Sequence, residues 1–485
     1  MGSIYGNGSG VAARKYRLRK TDWLGTRIFH ANTQVLNIVG NTFQNFTTIE
    51  QHADQVRVII SNSSVDRWVI DRGNVTSTAS FADRLTPAAI SGWVGLTFTQ
   101  ARTATISFGG AGGPAGPINW TSLGGNPRRP AYGTATLVAG IITAITITDG
   151  GDGYETTDKV SLFFTDVFTA VPLISLNITS AASVTMPPRF SATEASYTLS
   201  DWVNLSTVAR TDVTNGAPIV VIRLYCANAA AANMGLIPCN SVYDALDKRF
   251  FWWTYQAVDG VTTPASFTRN VNDLYAMASG VQYRARNKVM SVLAVGDSIT
   301  YGTVLGAPFG FTAVYGTTGA GSAASVPQTD PVEFSNLGIS GQTTAQYVLR
   351  VEQALKTFTP HVLIYAPYSP NDGVLVDGNA YAQRQRLALV VALCDKYNAL
   401  LVIWTGNPNN GLSVTTDGYR LAFNTYLQTL NLAVADTAVT MQDGASPNKY
   451  IAAYSDDGVH PNAAGIPVMG VPMGTVLKTI ATNNT

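Results

Sequence analysis

From Val289 to Val295 the chain runs through seven residues of which only Ser291 is polar, and it then breaks at Gly296-Asp297-Ser298. A run that short and that apolar fits a strand buried on both faces, the usual condition of a parallel sheet. Similar runs occupy His361 to Tyr368 and Ala399 to Trp404. Between and after them the period changes. Leu387, Val390, Val391 and Cys394 recur at helical spacing, as do Phe423, Tyr426, Leu427 and Leu430. Strands alternating with helices predict an α/β domain over residues 286–485, a three-layer α/β/α stack around a parallel sheet. Ligands of such sheets bind at the carboxyl ends of the strands.

Before residue 285 the rhythm differs. Short β-type runs at Gln55–Ser61, Trp93–Thr99, Ala104–Phe108, Ala135–Thr148 and Pro218–Tyr225 are separated by turn signals such as Asn62-Ser63-Ser64 and Gly150-Gly151-Asp152-Gly153. This pattern predicts an all-β sandwich or jelly roll over 31–285, preceded by an arm over 1–30. A piece from about 111 to 185 reads as an inserted β segment. The basic run Arg14-Lys15-Tyr16-Arg17-Leu18-Arg19-Lys20 reads as part of a solvated arm, with docking onto a partner as the alternative.

A chain of 485 residues is long enough for two or three domains, and 13% charged residues against 46% hydrophobic ones exclude wholesale disorder. The net charge of +1 offers no long-range attraction to nucleic acid. The most apolar stretch, Leu137–Ile147, falls short of the roughly 20 residues that a membrane span needs. The amino terminus lacks the apolar core of a secretory signal. Cys226 and Cys239 could bridge in an oxidising compartment, but buried thiols are the plainer reading, and Cys394 sits on an apolar helix face. No metal-ligand cluster and no cofactor motif is visible.

Ser298 follows the first buried strand in a turn opened by Gly296, where a hydroxyl would project into the crevice. Gly-Asp-Ser is common in ordinary turns, so the tripeptide alone decides little. A serine nucleophile needs a base, and the chain has four histidines. His30 and His52 lie in the β region. His361 follows Pro360 at the start of a strand, the wrong end of the sheet. His460 remains, three residues after Asp457, a spacing that lets the carboxylate reach Nδ1 and leave Nε2 free to accept a proton. Gly341, at the end of Asn336-Leu337-Gly338-Ile339-Ser340-Gly341, and Asn371, in Ser369-Pro370-Asn371-Asp372-Gly373, are candidate oxyanion donors, though each also suits a plain turn. Tyr301, Tyr368 and Trp404 lie near strand ends, where they could pack on a substrate or simply fill the core.

Taken in order, these pieces resemble the sequence blocks of the SGNH (GDSL-like) hydrolases, over roughly 288–480. G-D-S-I-T is similar to the first block, N-x-G-x-S-G to the second and D-G-V-H-P-N to the fifth; the third, usually G-x-N-D, is here Ser369-Pro370-Asn371-Asp372, with the leading glycine replaced. The resemblance implies a flavodoxin-like fold, Ser298, His460 and Asp457 as catalytic residues, and an oxyanion hole of Ser298, Gly341 and Asn371. It implies a serine esterase without metal or cofactor, acting on short acyl esters, with an acetylated polysaccharide favoured over a lipid or aryl ester. Val56–Asn62, Phe108-Gly109-Gly110 and Ser200-Asp201-Trp202-Val203 resemble the β domain found ahead of some carbohydrate esterases of this family. Gly150-Gly151-Asp152-Gly153-Tyr154 resembles a turn of phage tail and surface proteins. Virion or oligomeric partners, an extracellular or virion-associated location, and a structural tail protein with an idle hydrolase domain therefore stay open.

Overall fold

The computed structural model describes residues 16–20, 22–28, 34–36, 41–49, 51–62, 64, 67–80, 82–83, 89–190, 195–212, 217–227, 234–238, 242–244, 249–256, 261, 275–276, 278–301, 332–373 and 380–484. The carboxy-terminal part is built on five parallel strands in the spatial order Val332–Asn336, Met290–Val295, Val362–Tyr365, Leu400–Trp404 and Ala433–Ala435. Every residue of the first four is buried, which is why their sequences show no alternation. The fifth spans only three residues, too few for a periodic signal, and sequence reading passed over it. In chain order the sheet reads 2-1-3-4-5. The connections diverge on either side of Met290–Val295 and leave a crevice at its carboxyl end.

The helices behave as their spacing predicts. In Tyr381–Lys396 the buried side chains include Leu387, Val390 and Cys394, with Val391 half-buried. In Val414–Thr429 they include Phe423 and Leu427, with Tyr426 at the margin. Burial pushes the Cys394 thiol up to about 12, so it is an inert core group. Cys226 is buried as well; Cys239 lies outside the described residues.

The amino-terminal region is all β. One antiparallel sheet runs Leu24–Ile28, Ala278–Ala285, Ala53–Asn62, Ser196–Leu199, with Val203–Asn204 also paired to Ala53–Asn62. A second runs Val242–Asp244, Arg249–Gln256, Asn41–Thr48, Ile219–Cys226, Arg72–Thr78, Val94–Gly95. Val56, Val58 and Ile60 from the first and Val220, Ile222 and Leu224 from the second share one core. Ile219 and Val221 instead join Phe46 and Ile90 in a separate cluster. Both faces of that strand are therefore covered, which accounts for its unbroken apolar run.

A third antiparallel sheet, in the order Ile141–Asp149, Tyr132–Val138, Ile118–Leu123, Val160–Phe164, Leu173–Ala181, Phe98–Phe108, has its own core around Trp120, Ala135 and Leu176. It begins at Phe98, well ahead of the boundary expected near residue 111, because Phe98–Phe108 pairs along Leu173–Ala181. The run Ala135–Thr148 is not one strand. It turns back at Ala139-Gly140, where φ is positive at both residues (51° and 76°), as a two-residue hairpin of the right twist requires. The Gly150-Gly151-Asp152-Gly153-Tyr154 turn points inward. Asp152 is buried against Arg128 at 2.9 Å, Gln100 Nε2 donates to Gly151 O at 2.8 Å, and Ala131 N donates to the Tyr154 hydroxyl at 2.9 Å. The Asp152 carboxylate, the Gly151 carbonyl and the Tyr154 hydroxyl are thus engaged in packing.

Two expectations about the arm are corrected. Leu24–Ile28 is an edge strand, held by its pairing with Ala278–Ala285. The described part of the basic run is tied to the fold while Arg17 and Arg19 stay exposed: Leu18 N donates to Asn484 Oδ1 at 2.9 Å, Lys20 Nζ donates to Pro360 O at 3.0 Å, and Arg19 pairs with Asp395. Arg14 and Lys15 lie outside the described residues.

The β region meets the parallel sheet away from the crevice. The Tyr283 hydroxyl donates to buried Glu333 at 2.6 Å, Gln282 Nε2 to Phe358 O at 2.9 Å, and Ser335 Oγ to Thr26 O at 2.7 Å. His361 belongs to this seam. Ser291 N donates to its Nδ1 at 3.1 Å, so Nε2 carries the hydrogen and donates to Asp22 O at 2.9 Å. Only the neutral ring satisfies both bonds, and desolvation lowers its pKa to about 4. A histidine ordinarily titrates near 6.5, so the unfolded chain binds a proton that the folded one refuses. Stability is therefore full above pH ~6.5 and falls by on the order of 3 kcal/mol as pH drops to about 4, where it levels off. Denaturant unfolding of the parent and of His361→Gln across this window checks it. The parent loses stability more steeply; equal slopes would contradict the buried neutral ring.

Candidate active site

Ser298 opens a single helical turn, Ser298–Tyr301, directly after the Met290–Val295 strand. Gly296 is required there, since a Cβ at that position would lie 2.1 Å from Thr300 Oγ1. Tyr301 N donates to Asp297 O at 2.9 Å and closes the turn. Ser298 is nearly buried, and its Oγ lies 2.8 Å from His460 Nε2.

His460 comes from the loop ahead of the last helix, Gly465–Thr482. That loop is tied down at several points. Ser455 Oγ donates to His460 O at 2.7 Å, Gly458 N donates to Ser455 Oγ at 2.9 Å, and the Tyr450 hydroxyl donates to Val459 O at 2.9 Å. Asp457 Oδ1 accepts Val459 N at 2.8 Å and His460 N at 2.7 Å, and Oδ2 faces His460 Nδ1 at 2.7 Å. A carboxylate opposite Nδ1 places the ring hydrogen there and turns the Nε2 lone pair toward Ser298. Desolvation works to raise the Asp457 pKa, but the bonds from the His460 backbone, the His460 ring and Val459 outweigh it and hold it at about 2. Asp457 is ionised throughout the neutral range.

Two more loops close on this point. Asn336 Nδ2 donates to Thr300 O at 2.8 Å, and a Cβ at Gly338 would lie 2.4 Å from Tyr301 N, so the second loop can lie against the Ser298 turn only with glycine there. The same loop ends in exposed Gly341, at φ +79°. The third loop is a short 3-10 turn, Pro370–Asp372, capped by Ser369. Its Asn371 is exposed and donates from Nδ2 to Gln342 O at 3.1 Å, while Asp372 Oδ1 accepts Thr344 N at 2.8 Å. Ser298, His460, Asp457, Gly341 and Asn371, widely separated in the chain, thus stand on loops at the carboxyl edge of one sheet.

Residues 294–466 match the GDSL-like Lipase/Acylhydrolase family. This stretch is a GDSL-like acylhydrolase domain. A search of curated proteins returns no match. Among solved structures, the domain is similar to a lipase/acylhydrolase from Enterococcus faecalis, with 17% identity, 39% of this chain and 95% of that one covered, and a TM-score of 0.31. It is also similar to the psychrotrophic esterase EstA from Pseudoalteromonas sp. (17% identity, 39% and 96% covered, TM-score 0.30). A third is the family 3 carbohydrate esterase of Clostridium thermocellum (20% identity, 38% and 92% covered, TM-score 0.28).

The aromatic residues are a correction. Within the GDSL-like domain Trp404 is 1% exposed and Tyr368 3%, so neither offers a face to a substrate. Tyr368 packs beside Gly406, and burial raises its hydroxyl to about 12. Tyr301 is half-buried at the end of the Ser298–Tyr301 turn. Three residues to which the sequence assigned no role also stand among these loops. Buried Arg350 donates to Gly296 O at 2.9 Å and to Leu337 O, clamping the first two loops from beneath. Asp297 and Ser369 meet at 2.5 Å. Among the described residues, no group of three His, Cys, Asp or Glu side chains could hold a metal ion, and no helix is long and apolar enough to cross a membrane.

Proposed function

We propose that the protein is a serine esterase, with Ser298 as nucleophile, His460 as base and Asp457 as the group that orients and stabilises the imidazolium. The observation that carries this reading is the unbroken chain from Ser298 Oγ to His460 Nε2 at 2.8 Å and from Nδ1 to Asp457 Oδ2 at 2.7 Å. Oγ attacks the ester carbonyl as its proton passes to Nε2. The carbonyl oxygen becomes an oxyanion held by the N–H groups of Ser298 and Gly341 and by the Asn371 amide. His460 then protonates the leaving alcohol. Water, deprotonated by His460 in turn, displaces the acyl group from Ser298.

The substrate we favour carries a short acyl group, acetyl above all, on a polysaccharide. In support, among the described residues the loops that carry Gly341, Asn371 and Asp457 expose small or polar groups, Ser340, Gly341, Asn371, Gly373, Asp456 and Asp457. Such a surface suits a bulky, hydrated alcohol better than a long acyl chain that needs apolar cover. The chain divides, in this reading, near residue 285. A jelly-roll form for the preceding β region draws support from its two antiparallel sheets sharing one core.

Specificity constants over a panel of acetylated glycans, aryl acetates and long-chain acyl esters test the assignment. Acetyl esters lead the long-chain esters by at least about tenfold. A preference for long chains would overturn the substrate and leave the nucleophile standing.

A further inference from the structure

Where this family usually has glycine at the head of its third block, the chain has Ser369, fully buried and placed between the three loops of the site. Its Oγ lies 2.5 Å from Asp297 Oδ2, beside the nucleophile. The same Oγ is 3.0 Å from Gln342 O, beside Gly341, and accepts Asn371 N at 3.2 Å. Asn371 Nδ2 stands at 3.3 Å from it as well as 3.1 Å from Gln342 O. One hydroxyl thus touches a neighbour of each group that the esterase reading makes an oxyanion donor.

We infer that Ser369 is a positioning residue that sets the spacing of the oxyanion donors on Ser298, Gly341 and Asn371, a role that rests on the esterase reading above. Glycine cannot play this part, having no side chain to bridge the loops.

The hydrogen count is met with the groups already present. Ser369 Oγ donates its single hydrogen to Asp297 Oδ2, and its two lone pairs receive Asn371 N and Asn371 Nδ2. Gln342 O is supplied by Asn371 Nδ2. Asp297 Oδ1 accepts Ile299 N at 2.9 Å. Burial raises the Asp297 pKa, while the bonds from Ser369 and from the backbone of Ile299 and Thr300 oppose that rise.

The test compares Ser369→Ala, Ser369→Gly and Ser369→Thr with the parent, on a chromogenic acetate ester, with thermal melting alongside. Removing the hydroxyl lowers kcat by about tenfold with KM within about twofold, since the donors are needed most in the transition state. Affinity for a boronic acid, which adds to the serine as a tetrahedral analogue, falls by the same factor. Threonine, which keeps the hydroxyl, restores most of kcat. Unchanged kcat in the alanine and glycine variants would overturn the role, as would kcat, KM and melting temperature failing together with no rescue by threonine. If Ser298→Ala is silent while Ser369→Ala is fully active, only this inference fails; if Ser298→Ala turns over like the parent, the esterase reading itself fails.

Discussion

Ser298→Ala will reduce ester turnover by about ten-thousandfold or more while the protein stays folded. The side chain lost is one oxygen at the head of a turn whose shape depends on Gly296 and on the Tyr301 to Asp297 backbone bond, none of which the substitution touches. What disappears is the atom at 2.8 Å from the base. The oxyanion donors survive in the variant, so a residual rate above that of water persists. His460→Ala will cost about as much, and the double variant little more, because nucleophile and base act as one unit. Turnover within tenfold of the parent in either single variant would contradict the assignment of both residues.

Asp457→Asn is the second large effect, a loss of about a hundredfold to ten-thousandfold in kcat. Asp457 is more than half exposed, so direct charge attraction to the imidazolium is screened and is the smaller part. The larger part is the tautomer. Both carboxylate oxygens act as acceptors, Oδ1 from the backbone N–H groups of Val459 and His460 and Oδ2 from the ring. An amide has only one acceptor oxygen. If that oxygen keeps the two backbone bonds, the NH2 group faces Nδ1, which must then present a lone pair, and the ring hydrogen moves to Nε2. A histidine protonated at Nε2 cannot take the serine's proton. Steady-state kinetics on the chromogenic ester measure the effect, and a kcat within fivefold of the parent would mean that the carboxylate does not set the tautomer. Because Asp457 stays ionised down to about pH 2, its own protonation does not account for a loss of activity at mildly acid pH.

The meeting of Ser298 with the loops of Gly341 and Asn371 was legible because each follows an apolar run, and parallel sheets collect such loops at one edge. Eliminating His361 worked for the same reason, since a residue that starts a strand lies at the far end of the sheet. The sequence left Tyr368 and Trp404 between substrate and core because closeness to a strand end does not say which way a ring points. Trp404 ends its strand inside the core. Arg350 was invisible because a lone arginine among helical residues normally faces water, and only the fold shows that two strand-end carbonyls, Gly296 O and Leu337 O, await it. Ser369 carried one clue, a serine in place of the family's glycine, but its value depends on contacts with residues 72 and 27 positions away. In the β region local pattern found strands and missed how they are joined. Nothing short of pairing with Leu173–Ala181 assigns Phe98–Phe108 to the inserted sheet, and nothing in Leu24–Ile28 announces that Ala278–Ala285 will take it as an edge.

All of the chemistry turns on whether Ser298 Oγ is the atom that attacks. Incubating the purified protein with a fluorophosphonate and locating the adduct by peptide mass spectrometry answers this directly. One phosphonyl group on the peptide carrying Ser298, with labelling lost in His460→Ala, is the expected result; active protein that takes up no label, or takes it on another residue, would contradict it.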